Sequence, residues 1–185
     1  MKAGAAVDTK TVAISQAGKI VGSGYVRVTS ITSGKKYLIV AENGDKYAVL
    51  PASAGLNASK LFDGIAITVA NGKIEANAAN NAHAVTIVAS DGAYTIQNTA
   101  GKFIEYANNN NSSGKTQLAI VDASSRKWVA DEETAGTFLI KDSEVTGRAL
   151  LYRNGDTEYD NRFGGYATSN IGKGYITVAL YELSE

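Results

Sequence analysis

Apolar positions along the chain recur with a period of two rather than 3.6, which is the signature of strands. Ile65-Ala66-Ile67-Thr68-Val69 alternates large apolar with small or polar residues, as a strand with one buried face does. Tyr94-Thr95-Ile96-Gln97 and Phe138-Leu139-Ile140-Lys141 do the same. Tyr175-Ile176-Thr177-Val178-Ala179-Leu180-Tyr181 is a longer β-branched and aromatic run that predicts a final strand. Asn43-Gly44, Asn71-Gly72, Asp91-Gly92 and Asn154-Gly155 punctuate these runs with dipeptides that tolerate positive φ. Residues 77–84 are rich in Ala, but the interspersed Asn predicts a loop, and little or no α-helix is expected.

A repeated pattern organises the strands. Tyr37-Leu38-Ile39-Val40 is followed by Asn43-Gly44-Asp45 and then Lys46-Tyr47. Tyr94-Thr95-Ile96 is followed by Asn98-Thr99-Ala100-Gly101 and then Lys102-Phe103. Phe138-Leu139-Ile140 is followed by a turn over residues 142–147 and then Arg148-Ala149-Leu150. The three starts lie roughly 57 and 44 residues apart, room for about four short strands per unit. The expected fold class is therefore all-β, a β-trefoil-like barrel of about twelve strands with lobes over residues 25–90, 91–132 and 133–185. A β-sandwich or another β-barrel is the alternative. Residues 1–24 are expected to form a strand or linker ahead of this single domain.

Composition narrows the function. The chain has 185 residues, with 18 Lys+Arg against 18 Asp+Glu. That balance gives no long-range field for nucleic acid or an anionic membrane surface, so no nucleic-acid partner is expected. No Cys is present, which removes disulfides, thiolate zinc sites and thiol nucleophiles together. The apolar run at the start stops at Asp8, short of the roughly 7 to 15 apolar residues of a secretory core. No window approaches the roughly 18 uncharged apolar residues of a membrane span, and no membrane insertion is expected.

Catalytic sets are sparse. His83 is the sole His, so it cannot build a His-based zinc site, and it is expected to be a solvated loop residue with no nucleophile elbow nearby. Gly164-Gly165 and Gly172-Lys173-Gly174 make no phosphate cradle, and no cofactor is expected. Asp156, Glu158 and Asp160 would share one face of an extended strand, or in a loop could converge on a cation, but the run lacks the rest of a calcium loop. A solvated acidic tip balanced by Arg153 and Arg162 accounts for it more simply. The abundant Tyr and Asn suit sugar binding, in which aromatic faces stack on rings while Asn, Asp and Arg bond the hydroxyls. Two groups of candidate ligand residues result. Tyr106 with Asn108, Asn109, Asn110 and Asn111 is one, and Tyr152, Arg153, Asp160, Asn161, Arg162 and Tyr166 form the other.

Gly34-Lys35-Lys36-Tyr37-Leu38-Ile39-Val40, Lys127-Trp128-Val129, Gly147-Arg148-Ala149-Leu150-Leu151-Tyr152 and Asn161-Arg162-Phe163-Gly164-Gly165-Tyr166 follow one another along the chain. On these residues the chain from Val28 onward resembles an uncharacterised β domain that recurs, often C-terminally, in secreted and surface proteins of gut Bacteroidetes. It implies a secreted or cell-surface location and neighbouring domains in a longer chain, with no activity to carry over residue by residue. Thr11-Val12-Ala13-Ile14-Ser15-Gln16-Ala17-Gly18 is similar to the last strand of a BACON or other Ig-like module. A partial likeness to ricin-type trefoils extends to architecture alone, since those lectins repeat a Gln-x-Trp element and here Trp128 stands by itself after Arg126-Lys127. The expected function is a noncatalytic extracellular module binding carbohydrate or an adhesion partner. A structural spacer beside a catalytic or adhesive neighbour is the alternative, and a small carboxylate-dependent hydrolase is the third reading.

Overall fold

A computed structural model describes residues 23–108, 115–133 and 136–184. The chain opens with β1 (Gly24–Arg27), β2 (Lys36–Asn43), β3 (Lys46–Val49), β4 (Phe62–Asp63), β5 (Ile65–Ala66) and β6 (Lys73–Glu75). One helical turn, α1 (Ala78–Asn81), leads into β7 (Val85–Ser90), β8 (Ala93–Asn98), β9 (Phe103–Tyr106), β10 (Leu118–Val121) and β11 (Trp128–Glu132). The chain then continues through β12 (Thr137–Asp142), β13 (Arg148–Arg153), β14 (Arg162–Ala167), β15 (Tyr175–Ile176) and β16 (Val178–Ser184). The fold is all-β, and these strands pair antiparallel in one large sheet.

Each repeated segment of the sequence is a hairpin extended by a further strand. β2 pairs with β3 and β3 with β5. β8 pairs with β9 and β9 with β10, while β12 pairs with β13 and β13 with β14. Six other pairings return on themselves in the order β2, β7, β8, β11, β12, β16 and back to β2.

The register around this cycle explains the repeat. An aromatic residue opens each segment and meets a residue of the next strand, as Tyr37 opposite Val85, Tyr94 opposite Trp128 and Phe138 opposite Val178. Two residues on, an isoleucine faces the preceding or following strand, as Ile39 opposite Leu180, Ile96 opposite Ile87 and Ile140 opposite Ala130. Because side chains alternate along a strand, the aromatic and the isoleucine share one face. That face is the main core, where Trp128 is 1% exposed and donates its indole N–H to the Ile104 carbonyl at 2.8 Å.

Two smaller clusters cover the opposite faces of the first and third hairpins. Leu38 and Val40 of β2 pack with Tyr25, Val49, Ile74 and Tyr181. Ala149 and Leu151 of β13 pack with Leu61 and Tyr166, and Leu139, Ile171 and Tyr175 lie against them. Burial on both faces is why these strands read as near-continuous apolar runs. Tyr94-Thr95-Ile96-Gln97 alternates cleanly because among the described residues no such cluster covers β8.

Several local expectations need correction. Sixteen strands are present among the described residues rather than about twelve. The strand expected over residues 65–69 is only β5, since Asn71 and Gly72 turn the chain back through an Ala70–Lys73 bridge. The long final run breaks at Thr177 because it changes partners there: β15 pairs with β13, whereas β16 joins the cycle through β12 and β2. Residues 77–84 are not all loop, because Asn77 caps α1 by accepting the Asn80 N–H at 2.9 Å. His83, expected in solvent, is partly buried; Nδ1 has no partner, and burial holds its pKa below the ordinary value. Residues 1–22, including the segment likened to an Ig-type strand, lie outside the described residues.

Truncation of Ile39, Ile96 or Ile140 to Ala should each lower unfolding free energy by about 2–5 kcal/mol, the cost of a cavity in a packed core. Thr95→Ala, on the uncovered face of β8, should cost only about 0.5 kcal/mol. Urea denaturation followed by Trp128 fluorescence measures both.

Candidate ligand-binding site

The residues singled out in the sequence divide between the two faces of the β13–β14 hairpin. Tyr152 opposes Phe163 on the core side, with ring centroids 4.8 Å apart. Arg153 opposes Arg162, and Ala149 opposes Tyr166, on the other side. Tyr166 is 4% exposed, its ring edge-on to Tyr175 at 4.8 Å, and burial raises its pKa. Tyr106 is 3% exposed, donates its hydroxyl to the Lys115 carbonyl at 2.9 Å and lies 5.8 Å from the Arg126 guanidinium carbon. A β-carbon at Gly165 would collide with the Tyr106 ring, so glycine there is a packing requirement. Neither Tyr106 nor Tyr166 offers a ring face to a ligand. Asn108 is exposed with φ +50°, and Asn109, Asn110 and Asn111 lie outside the described residues.

The charged members of the second group are each held in an ion pair. Arg153 Nε donates to Asp160 Oδ1 at 2.7 Å, and Arg162 Nε to Asp63 Oδ1 at 3.0 Å. Asp160 Oδ2 accepts from the Thr157 amide at 2.9 Å and hydroxyl at 2.7 Å. These Thr157 bonds, ahead of the Arg153 charge, hold the Asp160 carboxyl below its ordinary pKa. Asp156 and Glu158 are exposed in the loop between β13 and β14 rather than aligned on a strand. Among the described residues no three acidic or His side chains are placed to hold a metal ion.

Tyr152 and Asn161 instead form one wall of a trough beside the first hairpin. The Tyr152 hydroxyl donates to Asn161 Oδ1 at 3.0 Å, and its pKa is raised by burial first and by Asp160 second. Asn161, at φ +61°, is fixed by its own amide to the Arg153 carbonyl at 2.7 Å and accepts the Gly64 amide at 2.8 Å. Gly64 is required there, because a β-carbon would stand 2.9 Å from the Tyr152 ring and 3.3 Å from Ala48. The floor is three alanines side by side across three strands, Ala41 opposite Ala48 and Ala48 opposite Ala66. Asn43, Asp45 and Lys46 stand on the far rim, and the cavity holds about 450 Å³.

This trough exists because the first hairpin turns differently from the other two. Two residues beyond Ile96 and Ile140 come Asn98 and Asp142, whose side chains fill their turns. Asn98 Oδ1 accepts the Ala100 and Lys102 amides, each at 3.0 Å, and Asp142 Oδ1 accepts the Glu144 amide at 3.0 Å and the Val145 amide at 2.6 Å. The matching residue after Ile39 is Ala41. There the strands run on to a two-residue turn opened by Gly44 at φ +64°, which needs no side-chain cap. Asn43, Asp45 and Lys46 are exposed and make no side-chain bond among the described residues. In the sequence these three stand out only as part of a turn and of the repeat. Ala41 in place of Asn98 and Asp142 was the available signal.

No protein-family model matches the chain, and no curated protein matches it. Among the described residues no helix is long and apolar enough to cross a membrane.

The Asp160 carboxyl should titrate below the range of a free aspartate, and Thr157→Val should move it back upward. Because the folded pKa is depressed, its stabilising contribution is complete above the unfolded pKa and is lost as pH falls through the folded one. Carboxyl-carbon NMR titration of the two proteins reads the direction.

Proposed function

We propose that the chain is a noncatalytic, β-trefoil-type module of a secreted or surface protein that binds a carbohydrate ring in the trough beside the first hairpin. The trefoil reading is supported by the six-strand cycle and by a hairpin and register that occur three times. The location is supported by the resemblance to surface-protein β domains. The observation that carries the binding reading is the trough itself. An alanine floor suits the apolar C–H face of a pyranose, and the uncommitted Asn43, Asp45 and Lys46 supply both donors and acceptors for its hydroxyls. Asn161 acts as a positioning residue, its side chain engaged by Tyr152 and the Gly155 carbonyl.

A structural spacer is the second reading. It is favoured by the burial of Tyr106 and Tyr166 and by the internal pairing of Arg153, Asp160 and Arg162. The two readings part on one experiment. Glycan-array screening followed by calorimetry should give binding at micromolar to millimolar concentration, weakened at least about tenfold, roughly 1.4 kcal/mol, by Asp45→Ala with Lys46→Ala. No glycan bound at millimolar concentration would leave the spacer.

A further inference from the structure

We infer that a second sugar-binding groove lies on the outer face of β7, β8 and β9, so that one molecule engages two rings of a repeating glycan. This rests on the carbohydrate reading above. The first and third hairpins have their outward faces covered by packed clusters, but among the described residues none covers the second. Val88 opposes Thr95, and Gln97 opposes Phe103, so these four side chains form a continuous patch. Val88 is 37% exposed and Phe103 is half-buried. Together with Ser90 and the segment around Ser124, they line a groove of about 630 Å³.

The charges around this groove select its occupant. Lys127 is held by Asp91 at 2.9 Å and by the Ser90 hydroxyl at 3.0 Å, and Lys102 is held by Asp122 at 3.1 Å. With both cations neutralised the groove presents no net field, which disfavours a phosphate or an acidic peptide. Exposed apolar surface amounts to Val88, Ala123 and part of Phe103, less than the core of a protein interface needs. What remains is a ring and a methyl-bearing side chain among hydroxyls and amides. Gln97 donates Nε2 to the Gly101 carbonyl at 2.7 Å, which fixes the amide and leaves its oxygen unpaired, and Thr95 has no side-chain partner among the described residues. Such a surface suits a neutral ligand with one apolar face and a hydroxylated edge, which is a hexose. Two sites on one rigid body raise the apparent affinity for a polymer through effective concentration, without any new contact.

Calorimetry with the best hexose ligand from the array, as monosaccharide and as polymer, tests this in the full chain. Two monosaccharides should bind per protein, and the polymer should bind at least about tenfold tighter per chain than the monosaccharide. Phe103→Ala should reduce the stoichiometry to one and remove that gain. Val88→Arg, at an exposed position that leaves the core intact, should do the same, which separates loss of the groove from loss of folding. One monosaccharide per protein, with Val88→Arg indifferent and Asp45→Ala with Lys46→Ala abolishing binding, would overturn the second groove and leave the first. Absence of any hexose binding would overturn both.

Discussion

The structure depends on one constraint: strands from three parts of the chain must bring an aromatic and an isoleucine to one buried face of the sheet. Tyr37, Tyr94 and Phe138, each followed two residues later by isoleucine, meet that constraint from three places in the chain. A one-residue slip in any of these strands would turn its aromatic and isoleucine to the opposite face, so the register is strongly specified. The single tryptophan adds the largest side chain to the same space. Its only polar atom is satisfied by a backbone carbonyl, so the bulk is gained without an orphaned donor.

Because the shared core fixes the inner faces, the three repeated hairpins differ in their turns and outer faces. In the first hairpin, Tyr25 of β1, Ile74 of β6 and Tyr181 of β16 pack against the outer side chains of β2. In the third, Tyr166 and Tyr175 do so over β13. The second hairpin turns Val88, Thr95, Gln97 and Phe103 outward, and among the described residues no cluster covers them. Turn chemistry varies by the same logic. Asn98 and Asp142 bind the amides of their own turns, and Asp142 also takes the Arg126 guanidinium from the segment before β11, Nε to Oδ2 at 3.1 Å. Glu105 secures the same segment by accepting the Ser125 and Arg126 amides at 3.0 and 3.1 Å.

Fold class was legible because its cause is local. Period-two alternation and three aromatic-x-Ile segments directly encode strands with a filled inner face. Strand ends were less legible where partner choice decides them. Nothing within Ile176-Thr177-Val178 says that the first residue pairs with β13 and the last with β12. The loop expected at residues 77–84 gives way for a smaller reason: Asn reads as a loop former, but at Asn77 the side-chain oxygen caps a helical turn and starts it.

The site was legible only in part, because residue type does not distinguish a polar group that is spent from one that is free. Arg153, Asp160 and Arg162 look like ligand residues, yet each is held in an ion pair, Arg153 with Asp160 within the β13–β14 hairpin and Arg162 with Asp63 of β4. Tyr106 and Tyr166 look like stacking rings, yet Gly165 and Gly164 exist to admit them into the core. The free groups lie where the sequence is plainest, in Asn43-Gly44-Asp45-Lys46. A two-residue turn satisfies itself through backbone geometry and therefore leaves its side chains without internal partners. The same economy that let Ala41 replace a capping Asn or Asp both opened the trough and released the polar rim above it. In this fold recognition chemistry is expected where a turn needs no help, and structural chemistry where it does.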